Sequence, residues 1–171
     1  MKITKKYPGL TRAKNGDYIL NGSLISDECI DIELDARLVV TGYIISLREI
    51  KAVLGIEVGR DIEAGGGIKA GWDIEAGGGI EAGGGIEAGG GIKAGFDITA
   101  GVGIKAGFGI TAGWGIKAGA YIDCGKRIFT GTSVCDDENS CEKTIRCAEL
   151  RNGTVAYGDL VITKQEVTHE D

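Results

Sequence analysis

The fold of this chain is decided by residues 62–119, which read IEAGGG-IKAGWD-IEAGGG-IEAGGG-IEAGGG-IKAGFD-ITAGVG-IKAGFG-ITAGWG-IKAG. Ten successive hexads keep the pattern Ile-x-Ala-Gly without interruption. The isoleucine register extends beyond this stretch, from Ile44 to Ile128. A short fixed period of this kind is typical of solenoid proteins, in which each repeat stacks on its neighbours.

The six-residue period predicts strands rather than helices. Apolar residues on one face of a helix recur near every 3.6 residues, and the 31 glycines would each cost a helix about 1 kcal/mol relative to alanine. Within a hexad, Ile and Ala are two residues apart, so both point to the same face of a strand and the residue between them faces outward. We expect Gly at position four to make the corner, using conformations that include positive φ.

The hexads can close into a coil in two ways, with two or with three hexads per turn. With three, about 18 residues per coil, Lys69, Glu87 and Lys105 form a ladder of alternating charge, whereas Glu63 and Glu81 become like-charged neighbours. With two, favourable and unfavourable neighbours are equal in number. Because a cross-strand pair contributes only about 0.2–1 kcal/mol, the charges do not decide between the two arrangements.

The hexads resemble those of parallel β-helix proteins over residues 20–134. They are similar to the left-handed hexapeptide-repeat acyltransferases, to the polymer-forming bactofilins, and to uncharacterised phage proteins with Ile-x-Ala-Gly repeats. The resemblance implies an all-β, single-stranded parallel β-helix with three sides. The handedness stays open, because the acyltransferases place the small inward residue two before the aliphatic one, whereas Ala64 follows Ile62 by two.

The two ends of the chain depart from the repeat. Residues 1–19 are basic and predict a short arm or cap before the solenoid of residues 20–134. Upstream of the regular hexads we assign four residues to the first, inward position: Leu20, Ser26, Ile32 and Leu38. Residues 135–171 predict a terminal β-hairpin that turns at Asn152-Gly153 and covers the last coil or joins two copies, followed by a polar tail.

Composition limits the classes of function. The net charge of −6 argues against direct binding to nucleic acid, and no stretch is long and apolar enough for a membrane helix or a signal peptide. We therefore expect a cytoplasmic protein whose five cysteines are free thiols. Cys124 replaces an inward alanine and is expected to be buried. Three further cysteines lie six residues apart without a Cys-x-x-Cys pair, so we expect no metal site and no cofactor there: Cys135, Cys141 and Cys147.

No catalytic constellation is visible in the sequence. The resembling acyltransferases share a histidine beside an acyl-donor groove, and the single histidine here is His169, close to the C-terminal residue. The Gly-rich runs recur at every corner and do not join a strand to a helix, as a phosphate-binding loop would. We therefore expect a protein without enzymatic activity.

The outward residues offer candidates for protein contacts. Residues 56–91 carry seven acidic and two basic side chains, while residues 92–122 are mildly basic. Large aromatic residues interrupt the glycines at hexad position five, where they form an interface or shield the glycine backbone. The 18-residue coil places Phe96 beside Trp114 and puts Trp72 and Phe108 at another corner, and we predict an interface patch at Phe96, Phe108 and Trp114. The candidate interface residues are Trp72, Phe96, Phe108, Trp114, Glu63, Glu75, Glu81 and Glu87.

These features favour a binding protein that acts through protein–protein contacts. The phage-like repeats and the acidic face lead to one specific hypothesis, an accessory or anti-defence inhibitor that occupies the basic nucleic-acid surface of a CRISPR or other host nuclease. The alternatives are a bactofilin-like self-assembling structural protein and a hexapeptide-repeat acyltransferase-like enzyme. Another protein or a second copy of the chain is the expected partner.

Overall fold

The computed structural model of the chain describes residues 1–132 and 143–163, and in that part of the chain every regular element is a β-strand. No helix long and apolar enough to cross a membrane is found among these residues. In chain order the strands are β1 Lys2–Ile3, β2 Leu10–Arg12, β3 Tyr18–Leu20, β4 Leu24–Ser26, β5 Ile30–Ile32, β6 Leu38–Val40, β7 Ile44–Ser46, β8 Ile50–Ala52, β9 Ile56–Val58, β10 Ile62–Ala64, β11 Ile68–Ala70, β12 Ile74–Ala76, β13 Ile80–Ala82, β14 Ile86–Ala88, β15 Ile92–Ala94, β16 Ile98–Ala100, β17 Gly103–Ala106, β18 Ile110–Ala112, β19 Ile116–Ala118, β20 Tyr121–Phe129, β21 Thr144–Cys147, β22 Glu149–Tyr157 and β23 Asp159–Ile162.

The strands stack into a three-sided parallel β-solenoid of about eight turns, which confirms the predicted fold class. Face A contains β1, β5, β8, β11, β14, β17 and the first part of β20. Face B contains β3, β6, β9, β12, β15, β18 and the last part of β20. Face C contains β4, β7, β10, β13, β16, β19, β21 and β23. Three-residue corners join the faces in the order A–B, B–C and C–A.

The coil contains three hexads, because Ile62 pairs with Ile80 and Ile80 with Ile98. The sequence period alone did not choose between two and three. Three short strands per turn enclose a column wide enough for a stacked isoleucine and alanine from each side. The isoleucines of this column are at most 1% exposed from Ile44 to Ile128. At about 1.5–3 kcal/mol for each buried isoleucine, the column stabilises a chain that is rich in glycine.

The predicted register upstream of Leu38 was wrong by two residues. Leu20, Ser26 and Ile32 pair with Val40, Ser46 and Ala52, so they occupy hexad position three rather than position one. The first positions are Tyr18, Leu24 and Ile30, each 20 residues before its partner in the next coil. The two additional residues lie between β5 and β6, where the chain reads ELDAR in place of a three-residue corner.

The glycine at hexad position four allows the corners of successive coils to stack closely. It does not adopt positive φ in the regular hexads. Among the described glycines, positive φ occurs only at Gly9, Gly16, Gly22, Gly131, Gly153 and Gly158, none of which is in a regular hexad. A Cβ added to Gly77 would lie 2.2 Å from the carbonyl oxygen of Gly59 in the preceding coil. The same contact is 2.1 Å for Gly71 against Val53. In the regular hexads of residues 62–119 the corners of successive coils therefore touch through their backbones, and a side chain at position four has no room.

The predicted C-terminal hairpin was also wrong. β21 and β23 continue face C, and β22 lies parallel to β20, so the chain makes further turns of the solenoid. Asn152 and Gly153 lie inside β22 at a corner, where the Asn152 amide donates to the carboxylate of Asp123 at 3.0 Å. Gly153 has φ +107°, and a Cβ there would lie 2.9 Å from the Cβ of Cys124. A local turn signal was overridden by pairing with the coil beneath.

The N-terminal residues close the other end of the solenoid. β1 pairs in parallel with β5, and β2 pairs with β3 as the antiparallel pair of the described strands. Ile3 is fully buried and Tyr18 is 5% exposed, so the first layer of the core is covered. The Tyr18 hydroxyl donates to Asp35, which also pairs with Lys5.

Candidate protein-interaction surfaces

The structure divides the eight candidate interface residues among three surfaces. Trp72 and Phe108 lie at the A–B corner, and Glu75 lies next to them on face B. Phe96 and Trp114 lie at the B–C corner, bordering Glu63 and Glu81 on face C. Glu87 lies on face A. The predicted single patch of Phe96, Phe108 and Trp114 is therefore two patches, because Phe108 and Phe96 lie at opposite borders of face B.

The A–B corner forms a ridge of exposed apolar side chains, the A–B ridge, made of Val53, Trp72 and Phe108. They are 60%, 63% and 52% exposed respectively. Trp72 and Phe108 are two coils apart, as predicted, with the backbone of buried Gly90 hydrogen-bonded to both. Exposed large apolar side chains held on a rigid backbone are typical of residues that dominate binding energy.

Carboxylates flank the A–B ridge on its face B side. Asp73 follows Trp72, and its Oδ1 accepts the Gly91 N–H of the next coil at 2.6 Å. This bond fixes the carboxylate at the corner and satisfies a backbone donor. Glu75 follows on β12, and among the described residues it forms no ion pair, although Lys93 is its register neighbour. One coil earlier, Glu57 pairs with Arg37 at 2.6 Å.

Face A neutralises its own charges. Lys69, Glu87 and Lys105 are register neighbours in three successive coils, as the 18-residue coil predicted. Glu87 lies 3.1 Å from the Lys69 nitrogen and 4.0 Å from that of Lys105. A carboxylate between two ammonium groups offers little excess charge to a partner.

The B–C corner carries a packed aromatic pair. The Phe96 and Trp114 rings have centroids 4.7 Å apart and are tilted by 31°. They border a shallow open groove of about 230 Å³ that is also lined by Asp61, Glu63 and Glu81. Asp61 accepts the Gly79 N–H at 2.7 Å, which fixes its carboxylate at the corner. Aromatic and acidic side chains thus meet on one edge of face C.

The outward residues of face C form a single row, one residue per coil, which we call the face C row. Successive strand pairings place these residues in register: Ile25, Ile45, Glu63, Glu81, Thr99, Lys117, Arg146 and Val161. The acidic and basic halves were visible in the sequence. Their arrangement in one row was missed, although a count of 18 residues from Glu63 reaches Glu81, Thr99 and Lys117.

The buried thiols are held in the neutral form. Cys124 is 1% exposed, as predicted, and Cys147 is fully buried. Burial raises the pKa of both thiols above the ordinary value, which makes them poor nucleophiles near neutral pH. The prediction for Cys135 and Cys141, and the histidine at 169, lie outside the described residues. Within the part of the chain that is described, no three His, Cys, Asp or Glu side chains are grouped as a metal site would need.

The geometry defines a three-sided parallel β-solenoid with corner aromatics and charged faces. No protein-family model matches the chain, and comparison with curated proteins and with solved structures finds no match either. The fold therefore rests on the register of the strands themselves.

Proposed function

We propose that this chain is a non-enzymatic binding protein that acts through protein–protein contacts at the A–B ridge. The observation that carries the proposal is Trp72, which is 63% exposed on a rigid corner beside the carboxylates of Asp73 and Glu75. An exposed tryptophan is costly to leave in water and gains most when a partner covers it. Trp72 does not contribute to the core of the solenoid, because the core beneath this corner is already filled.

The partner that fits this surface has an apolar pocket bordered by basic side chains. Residues 56–91 carry seven acidic and two basic residues, so this segment holds most of the net negative charge. Electrostatic complementarity of this kind speeds association and selects basic surfaces. Asp73 is fixed at the corner by its bond to the Gly91 N–H, and Glu75 on the adjoining strand adds a second carboxylate to the same surface.

The specific role that we propose is that of an accessory inhibitor of phage type. A rigid acidic rod that covers the nucleic-acid surface of a host nuclease would block that enzyme without catalysis. Lys93, Lys105 and Lys117 lie beyond the acidic segment, so the part that would imitate nucleic acid is confined to residues 56–91.

The test compares three immobilised full-length baits in bacterial lysate. They are the native chain, the double variant Trp72→Ala/Glu75→Lys, and a control, Val102→Ala, which removes an aliphatic side chain that is 51% exposed at a different corner. We expect a basic protein that the native and control baits capture and the double variant loses, with binding that weakens as salt rises. The captured protein is then purified, and its nuclease activity is measured with and without the chain.

Two results would contradict this proposal. One is recovery of the same proteins by the native and double-variant baits. The other is a captured partner whose binding does not respond to ionic strength, since an acidic surface meeting a basic one must respond.

Self-assembly is the second candidate function, and the C-terminal end of the solenoid favours it. Leu160 and Ile162 pair over Ile145 and Cys147 in the core column, yet they are 41% and 46% exposed. Among the described strands, β23 has no neighbour on its outer edge, and an uncovered strand edge is a template for another chain. A constant small mass in light scattering over a concentration series would exclude a filament.

A further inference from the structure

The face C row separates its charges more completely than either of the other faces. Glu63 and Glu81 are direct neighbours, and so are Lys117 and Arg146. Like charges opposite each other on adjacent strands destabilise a sheet. Among the described residues, neither Glu63 nor Glu81 nor Lys117 forms an ion pair, in contrast to Glu87 on face A.

This pattern is self-complementary when the row is read in opposite directions. Thr99 lies between the acidic pair and the basic pair. Counting outward from Thr99, each acidic residue on one side corresponds to a basic residue on the other, and an aliphatic residue corresponds to an aliphatic one. The correspondences are Glu81 with Lys117, Glu63 with Arg146, and Ile45 with Val161.

We propose that face C binds a second copy of the chain in a face-to-face, antiparallel homodimer. The two-fold axis lies between the two faces, parallel to the strands, at the level of Thr99. Each copy then places Glu81 opposite the second copy's Lys117, and the repulsion between the neighbouring carboxylates of Glu63 and Glu81 is reduced in both copies by the facing basic side chains. This contact goes beyond the proposed function, because it uses a different face from the A–B ridge and leaves the ridge exposed.

The charges also select the direction of packing. If the two solenoids packed in parallel, the two-fold axis would run along the solenoid. Glu63 would then face Glu63 of the second copy, and Lys117 would face Lys117. Like charges facing each other across an interface oppose association. In the antiparallel arrangement only Thr99 faces itself, and a hydroxyl can both donate and accept a hydrogen bond.

The aromatic B–C corner lies along one edge of this interface, level with the two-fold axis. Phe96 belongs to the same coil as Thr99, and Trp114 belongs to the next. Because the axis is parallel to the strands, the B–C corners of the two copies lie on the same side of the dimer and border each other. The rings of the two copies thus add an apolar contact along this edge of the dimer.

The available area predicts a weak dimer. Seven strands of face C take part, from β7 at one end to β23 at the other. Neighbouring strands are about 4.8 Å apart, so the length shared by the two copies is about 29 Å. With a breadth of about 17 Å for a strand and its corners, each copy covers about 500 Å². This is less than the ~800 Å² per partner of a standard interface, so we expect a dissociation constant above about 1 µM.

The test is a charge exchange followed by sedimentation equilibrium of the full chain over a concentration series. Glu81→Lys and Lys117→Glu each replace two attractive contacts of the dimer with two repulsive ones, and each is expected to weaken it about tenfold. The double variant Glu81→Lys/Lys117→Glu restores opposite charges across the interface and should recover the native constant. The control is Glu75→Lys, which reverses the equivalent outward charge on face B and should leave dimerisation unchanged.

Three outcomes would overturn the dimer. The first is a native chain that stays monomeric up to about 0.5 mM, which is far above the expected dissociation constant. The second is a single variant that dimerises as tightly as the native chain. The third is a double variant that dimerises as weakly as the single variants. Assemblies larger than two would assign the contact to the C-terminal end instead. The proposed function fails separately, because it is tested by capture with the Trp72→Ala/Glu75→Lys variant, which leaves face C unaltered and should dimerise as the native chain does.

Discussion

The corner Gly77-Gly78-Gly79 offers a sharp test of how the coils stack. A Cβ on Gly77 would lie 2.2 Å from the carbonyl oxygen of Gly59 and 3.0 Å from its carbon. A Cβ on Gly79 would meet its nearest atom, the Asp97 carbonyl oxygen, at 3.5 Å, which is ordinary contact. Neither glycine has positive φ, so the two substitutions Gly77→Ala and Gly79→Ala differ in space and not in backbone strain.

The distances give the expected sizes. To accept Gly77→Ala, the corner must separate from the coil below by about 1 Å, which costs about 1–3 kcal/mol of packing strain. The separation also weakens the bond from the Gly77 N–H to the Val58 carbonyl, now 2.8 Å, which contributes a further ~1 kcal/mol. We therefore expect Gly77→Ala to lower the free energy of unfolding by about 2–4 kcal/mol. Gly79→Ala should be neutral or stabilise the fold by up to about 1 kcal/mol, because alanine restricts the unfolded chain.

The assay is thermal and urea unfolding followed by circular dichroism, with both variants prepared alongside the native chain. For a chain of this size, about 1 kcal/mol shifts the melting temperature by about 2–4 °C, so the two variants should be well separated. Equal stability of Gly77→Ala and the native chain would refute the view that position four is glycine because the corners touch. So would equal losses for the two variants, since that result would point to backbone flexibility instead.

Three further results are expected from the same measurements. Ile98→Ala, at a fully buried core position, should destabilise the chain by about 2–5 kcal/mol. Asp97→Ala removes the acceptor of the Gly115 N–H at 2.8 Å and should cost about 1–2 kcal/mol, whereas Asp97→Asn keeps an acceptor and should cost less. Burial raises the pKa of Cys124 and Cys147 in the folded chain, so the unfolded thiols ionise first as the pH rises. Stability should therefore be constant below the ordinary thiol pKa of about 8.5 and fall above it, less steeply in a Cys147→Ala variant.

Much of the candidate surface could be predicted because it follows from counting along the hexads. The neighbouring positions of Phe96 and Trp114 were predicted from the 18-residue coil and are confirmed by their stacked rings. The 18-residue coil also placed Trp72 and Phe108 at another corner, and the structure adds that face B separates that corner from Phe96 and Trp114. The row of Lys69, Glu87 and Lys105 also followed from the 18-residue coil, and the structure adds that the Glu87 carboxylate lies within ion-pair distance of both lysines.

Local signals were misread where a neighbouring coil decided the outcome. Asn152-Gly153 is a strong hairpin signal, yet it lies within β22 because the exposed edge of β20 offers a longer parallel pairing. The hexad glycines were expected to turn through positive φ, whereas the space left by the preceding coil is what excludes a side chain. Neither effect is present in the sequence neighbourhood of the residues concerned.

The sequence by itself determined the inner wall of the solenoid. An Ile-x-Ala spacing directs two side chains inward from each short strand, and this is a property of the strand alone. Only the tertiary structure decided which outward residues meet, since Glu63, Glu81 and Lys117 become one row when the coil closes after three hexads. The reason is that inward direction is set by neighbours in the chain, whereas contact on the surface is set by the length of a full turn.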